Sequence, residues 1–212
     1  RTSSSQRATY RFDGTVWAPK EGEYLLWKSD MEHLEASYPA EYGENPFSYV
    51  HPTDQSSTEK IAKADLMSVE LDQAKTKEAL HFTMYRETTR LIVEIAGFKS
   101  EFPGDAKVEN VRFHNKSNAS APPRTYIPYA KGEGKTGSTY TVLVPGDAAH
   151  NTISLEVGGK TMTAKLSRIT YDSGLSYTYR LTVGKEKLET TEVTVSDWTG
   201  SAVIPGGEAE AN

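Results

Sequence analysis

The stretch SYTYRLTV, residues 176–183, decides the class of fold. Alternation puts Tyr177, Tyr179, Leu181 and Val183 on one side of an extended chain and Thr178, Arg180 and Thr182 on the other, because successive strand side chains point to opposite faces. The same texture surrounds it. STYTVLV (138–144), NTISLEV (151–157), KTMTAKL (160–166) and LETTEVTV (188–195) read as short strands rich in Thr, Val and Tyr, residues that fit a pleated, half-buried surface. Gly158-Gly159 reads as a two-residue hairpin turn, since both positions tolerate the positive φ that such turns require.

Upstream, TTRLIVEIAGF (88–98) is a longer and more apolar strand, preceded by LHFTMYRE (80–87), where Leu80, Phe82 and Met84 alternate with polar neighbours. AKVENVRFHN (106–115) alternates less cleanly. The first third of the chain reads as ATYRFDGTVW (8–17), two extended pieces around an Asp13-Gly14 turn, then EYLLW (23–27) and MEHLEASYP (31–39). In the last of these Leu34, Ala36 and Tyr38 share one face and Pro39 stops the strand. A loop with three prolines follows (39–57), then one short helix within STEKIAKADLM (57–67), with Ser57 or Thr58 as its N-cap. The charged stretch DQAKTKEA (72–79) is the expected domain boundary, separating an N-terminal β domain (1–77) from a C-terminal β-sandwich domain (78–212).

Composition agrees with thin β-layers: apolar residues make up 36% of the 212, and there are twelve tyrosines. The net charge of −5, with no long Lys/Arg run, argues against nucleic-acid binding. The absence of cysteine excludes disulfides, thiolate metal sites and thiol nucleophiles. No apolar run approaches the roughly 18–20 residues of a membrane-spanning helix. The opening RTSSSQRATYRF has no apolar core of the kind found in signal peptides.

Motifs of catalysis fail their tests. KGEGKTGS (131–138) has the glycines, lysine and hydroxyls of a phosphate-binding loop, but the required first glycine is replaced by Tyr129, and a strand rather than a helix follows. The stretch therefore reads as a strand connection behind a Pro-rich segment. The five histidines (33, 51, 81, 114 and 150) show no HxxxH spacing for a metal pair, and His81 reads as a surface residue. Asp172-Ser173 lies in a turn without the strand–turn–helix setting of a nucleophile elbow. No catalytic, cofactor or metal site is expected. Asn115-Lys-Ser117 and Asn118-Ala-Ser120 fit the glycosylation acceptor pattern, which is frequent by chance. Trp17, Tyr24, Trp27, Tyr38, Tyr42, Phe47 and Tyr49 form a dense aromatic group, expected to be the core of a small domain. The alternative is a sugar-stacking face using Trp17, Trp27 and Tyr24.

The order of these pieces resembles the fimbrillin-like family of Bacteroides-type bacteria. GTVWAP (14–19) followed by YLLW (24–27) is similar to its paired Trp strands, and HLEASYP (33–39) to its aromatic-Ala-x-Tyr-Pro strand. TDQSSTEKIAKADLM (53–67) resembles its Asp-Gln loop and the Asp-Leu-Leu/Met segment that follows. LHFTMYRETTRLIVEI (80–95), TVLVPGD (141–147) and LSYTYRLTVGKEKLETTEVTVSDWTG (175–200) resemble its later strands and terminal hairpin. Met84 stands where the family usually has His, so no role of that His carries over. Members usually have further N-terminal strands and a lipobox cysteine ahead of the Trp strands, so the N-terminal domain is expected to be incomplete.

The resemblance implies an all-β protein of two transthyretin-like β-sandwich domains with one short helix. It implies a non-enzymatic subunit of cell-surface fimbriae, exported as an outer-membrane lipoprotein whose lipid anchor is not in this chain. Cleavage after Arg is implied to remove an N-terminal strand, so that a strand from the next subunit fills the groove; Arg1 and Arg7 are the candidate processing positions. Expected partners are other fimbrial subunits and, beyond them, surface glycans or proteins of host or bacterium. The polar tail SAVIPGGEAEAN (201–212) is a poor donor strand, which favours an accessory, tip or anchor role. The alternative function is a cell-surface carbohydrate-binding β-sandwich protein.

Overall fold

The tyrosine strand and its neighbours bury their apolar alternation against a second sheet. In the structure, a computed structural model, the described residues are 2, 6–44, 49–116, 122–146, 149–166, 171–184 and 188–198. The first layer has the order β14-β13-β6-β10-β9, built from β6 (Thr88–Phe98), β9 (Tyr129–Lys131), β10 (Thr139–Pro145), β13 (Leu175–Val183) and β14 (Leu188–Asp197). The second has the order β12-β11-β7-β8, from β7 (Glu109–Lys116), β8 (Arg124–Tyr126), β11 (Ala149–Val157) and β12 (Lys160–Lys165). One continuous core joins them: Leu91, Val93 and Ile95 of β6 and Tyr177, Tyr179 and Leu181 of β13 meet Val111 and Phe113 of β7 and Ile153 and Leu155 of β11. All pairings in both sheets are antiparallel except that of β6 with β13, which is parallel. Tyr177, Tyr179, Leu181 and Val183 are fully buried, and Arg180 is exposed, as the alternation requires.

The N-terminal third is thinner. β1 (Tyr10–Phe12) and β2 (Trp17–Pro19) form a hairpin through Asp13-Gly14, where the Asp13 carboxylate accepts from the Thr15 and Val16 N–H groups at 2.8 and 2.9 Å. A three-stranded sheet follows, of order β3-β4-β5, from β3 (Met31–Tyr38), β4 (Met67–Ala74) and β5 (Tyr85–Arg86). Between β3 and β4 lie two short helices, α1 (Ala40–Glu44) and α2 (Thr58–Lys63). Ser57 is the N-cap of α2, its hydroxyl accepting from the Lys60 N–H at 3.3 Å.

Several expectations are corrected. There are two short helices among the described residues, not one, because the Pro39 carbonyl accepts from Tyr42 N–H and Gly43 N–H and turns the expected loop into α1. EYLLW is not a strand: both backbone groups of Leu26 are taken by the Gln6 carboxamide, at 2.7 and 2.9 Å, instead of by a ladder. Residues 72–74 belong to β4 and not to a linker, since Asp72 faces solvent while its strand pairs with β3. Of LHFTMYRE only Tyr85 and Arg86 are strand, because β4 offers them partners at Ser68 and Met67 alone. The glycine loop is preceded by a strand, β9, and joins it to β10 as a hairpin connection.

That loop is tied down by its backbone. Gly134 donates nothing from a side chain, yet its carbonyl accepts from Val108 N–H at 2.8 Å, and Gly137 N–H and Ser138 C=O bond Ile95. A Cβ on Gly134 would sit 2.3 Å from the Val108 carbonyl oxygen, and its φ of +82° already disfavours other residues.

A second, smaller core covers the outer face of the first layer, where Leu143 packs with Ile61, Ala64 and Trp198. Polar groups complete it. Asp65 is buried and receives the Arg86 Nε–H at 3.2 Å, while Arg86 donates to the Trp198 carbonyl at 3.0 Å. Arg86 and Arg90 both stand over the Trp198 ring, at 4.2 and 4.9 Å from its centroid, and Arg90 also donates to the Ser176 hydroxyl at 2.9 Å. Burial raises the Asp65 pKa, against the pull of Arg86 and Thr88.

The segment 51–55 is strapped across the same region. Gln55 accepts from Leu143 N–H at 2.7 Å and donates to its carbonyl at 2.8 Å, so one carboxamide pairs with β10 beyond the point where β9 ends. Thr53 and Gln55 bond the backbone of Ile127. His51 is buried, its Nε2 3.0 Å from the Ala64 carbonyl and its ring edge-on to Tyr126. Burial pulls its pKa down to about 4.

Two outcomes follow for stability. Gly134→Ala is expected to lower the unfolding free energy by well over the roughly 1–2 kcal/mol of the left-handed backbone cost, whereas Gly137→Ala, at φ +85° with open space around it, should lose that cost alone; urea titration of the two variants checks this. Because His51 is depressed in the folded state, the stability it lends is present above its unfolded pKa of about 6.5 and is lost as pH falls through about 4. Urea titrations between those pH values should show up to about 3 kcal/mol of acid-induced loss that the His51→Gln variant lacks.

Candidate subunit-docking site

The three-stranded sheet has one polar face and one largely apolar face, which also carries the buried Glu32 opposite Gln73, as the register states. Leu34↔Leu71, Ala36↔Val69 and Tyr38↔Met67 are paired, so all six side chains lie on one face. Leu34 and Met67 are buried, and the other four are half-buried. The opposite face carries His33, Glu35, Glu70 and Asp72. His33 Nδ1 is 2.9 Å from Asp72 Oδ1, and that bond, helped by Glu70 and Glu35, raises the His33 pKa.

Both edges of this sheet are short of partners among the described residues. β3 is met on its outer side by a single antiparallel bridge, Thr2↔Leu34. β5 covers only the first two residues of β4, leaving Val69–Ala74 paired on one side. Leu80 and Phe82, which precede β5, are exposed at 37% and 38%. Unpaired edges beside a half-covered apolar face are what an added strand uses: backbone groups supply affinity and alternate side chains supply the fit.

The segment at the β3 edge is held by polar contacts. Thr2 N–H donates to the Gln6 carbonyl at 3.0 Å, and the Gln6 carboxamide pairs with the backbone of Leu26. Arg7 is exposed and donates to the carbonyls of Gly43 and Glu44 at 3.3 and 3.4 Å. Arg1 and the tail 201–212 lie outside the described residues.

The aromatic group does not form the expected core. Trp17 meets the Phe12 ring at 5.4 Å and is 46% exposed; Tyr24 is 65% exposed, and Trp27 is half-buried. No ring contact joins Trp17, Tyr24 and Trp27 among the described residues. Tyr42 and Tyr49 meet edge to face at 5.5 Å, both half-buried, and Phe47 lies outside the described residues. The reason is local: among the described residues β1 and β2 pair only with each other, and no second sheet closes over their rings.

Other candidate residues are occupied structurally. The Asp172 carboxylate accepts from the Tyr177 hydroxyl at 3.0 Å, and Ser173 donates to the Glu87 carbonyl at 3.0 Å. Asn115 is buried with its amide on Asn151, and Asn118 lies outside the described residues. Among the described residues no three acidic or histidine side chains converge on a metal-sized site. The Asp65–Arg86–Trp198–Arg90 group escaped sequence reasoning, although an arginine inside the apolar strand TTRLIVEI is a signal that a buried partner exists.

The profile of the Fimbrillin-like family matches residues 2–198. No protein of curated function matches the sequence. A candidate cell-adhesion protein of Bacteroides uniformis shares 15% identity and a TM-score of 0.61, over 86% of this chain and 79% of that one. Another from Bacteroides ovatus shares 14% identity and a TM-score of 0.60, over 86% and 75%. A tip fimbrial protein of Porphyromonas gingivalis, solved with a C-terminal truncation, shares 16% identity and a TM-score of 0.46, over 79% and 80%. With most of its length matched by one profile, the chain belongs to the fimbrillin-like family.

Proposed function

We propose that this chain is a structural or adhesive subunit of a cell-surface fimbria whose three-stranded N-terminal sheet accepts an extended strand from a partner subunit. The observation that carries this is the β3 edge, met among the described residues by one bridge from Thr2 beside a half-buried apolar face. Family membership supports the fimbrial, cell-surface setting. In this reading residues 1–77 and 78–212 are two transthyretin-like β domains, the first incomplete and extended by β5 from the second, and the subunit is a lipoprotein before assembly. Cutting after the exposed Arg7 frees the segment bearing Thr2, so that an incoming strand takes its place along β3.

Treatment with an Arg-specific protease is expected to cut after Arg7 and to convert the purified chain into higher oligomers, followed by mass spectrometry and light scattering. Arg7→Gln should block both. Oligomers from the uncut Arg7→Gln chain, or a cut chain that stays monomeric with and without partner subunits, would overturn the reading. Leu71→Glu, on the apolar face, should abolish assembly of the cut chain while thermal unfolding still reports a folded sandwich.

The exposure of Trp17 and Tyr24 favours a second reading, a carbohydrate-binding surface that stacks sugar rings on these aromatics. Glycan binding that is insensitive to salt, and lost in Trp17→Ala and Trp27→Ala with folding intact, would support it.

A further inference from the structure

We propose that the outer face of the four-stranded sheet is a binding platform for an acidic polysaccharide. The register lays its rows out. His114 stands between Thr125 of β8 and Thr152 of β11, with Lys165 next on β12. Arg112, Ser154 and Thr163 form the adjacent row. Two residues beyond His114, on the same face of β7, lies Lys116. None of these positions is apolar, and their inward-facing neighbours, among them Val111, Phe113, Ile153 and Leu155, are all in the core.

The charge on this face runs against that of the molecule. The chain carries −5 overall, yet Arg112, Lys116 and Lys165 share the face with two carboxylates from the strands, Glu109 and Glu156, which are engaged by Lys107 at 2.7 Å and by the Asn110 amide at 2.7 Å. The three cations form no ion pair with a described residue. On the outer face of the five-stranded sheet, by contrast, Arg180 is paired with Glu94 at 3.3 Å. The hydroxyl groups are also set in place: His114 lies 2.7 Å from Ser154 Oγ and 3.1 Å from Thr125 Oγ1.

These spacings choose the ligand. Arg112 and Lys116 are four residues apart on one strand, about 13 Å, and Lys165 lies two strands from β7, about 10 Å. One carboxylate or sulfate cannot bridge such distances, whereas successive charges along an extended chain can meet them. A protein partner needs an apolar anchor at the centre of its interface, and this face has none. Fixed hydroxyls and an imidazole among cations are suited instead to the hydroxyls and anionic groups of a sugar polymer. The site is separate from the strand-accepting sheet and does not depend on it.

The test is a binding titration of the full chain with polygalacturonate, dextran sulfate, neutral dextran and duplex DNA. At least one acidic polysaccharide should bind, weakening as salt is added, and the carboxylate and sulfate polymers distinguish which anionic group is preferred. Neutral dextran and DNA should not bind comparably. Arg112→Gln combined with Lys165→Gln is expected to weaken binding at least tenfold, with circular dichroism unchanged, while Lys131→Gln on the other sheet leaves it intact. Absence of binding to both acidic polymers, equal retention of DNA, or affinity untouched by the double variant overturns the proposal.

Discussion

Asp65 is a carboxylate placed almost entirely out of water, and the structure around it is organised by the need to pair it. Arg86 supplies the counter-charge and fixes β5 against the end of α2. The same guanidinium reaches the Trp198 carbonyl and stands over its ring, which brings the end of β14 to the same point. Breaking a buried pair of this kind costs about 3–5 kcal/mol, because the partner left behind is a buried charge. Arg90, a second cation at the ring, is tolerable there because the π-face and the Ser176 hydroxyl receive it. The N-terminal third and the sandwich are therefore joined by this polar cluster together with the small apolar core of Ile61, Ala64, Leu143 and Trp198.

The two parts differ in how they exclude water. In the sandwich each strand buries its apolar side against a facing sheet, and its tyrosines are fully covered. The three-stranded sheet forms no sandwich with a second sheet among the described residues, and although Leu34 and Met67 are covered, four of its six apolar side chains are only half-buried. A single sheet cannot complete its own core. What remains uncovered is the surface that the proposed strand addition would bury.

The sandwich was legible because its strands are self-contained in pattern. In β13 and β10 the side chains alternate, and the Gly158-Gly159 hairpin has both residues at positive φ, so local rules and the final fold agree. The apolar face of β3 was visible through Leu34, Ala36 and Tyr38 for the same reason. Where the expectations failed, a partner was missing. EYLLW and LHFTMYRE have strand composition, but a strand exists only if a neighbour offers its backbone; Leu26 meets the Gln6 carboxamide instead, and β4 pairs with only Tyr85 and Arg86 of the second stretch. The aromatic group was read as a core because ring density is visible in sequence, whereas the absence of a covering layer is not. The Thr2 bridge, the Asp65 clamp and the outer-face rows depend on residues far apart in the chain, and no local period announces them.

The parallel pairing of β6 with β13 also has a consequence in time. The paired residues are separated by as many as 86 positions, as in the bond of Arg90 to Ser176, and β6 lies at the middle of its sheet. Its antiparallel neighbour β10 is made first, but the central strand remains half-paired until β13 exists. Parallel, non-local closure of this kind is intrinsically slow. The sandwich thus gains its central pairing only once residues 175–183 have been made, so the apolar side of β6 waits for a partner from the last fifth of the chain.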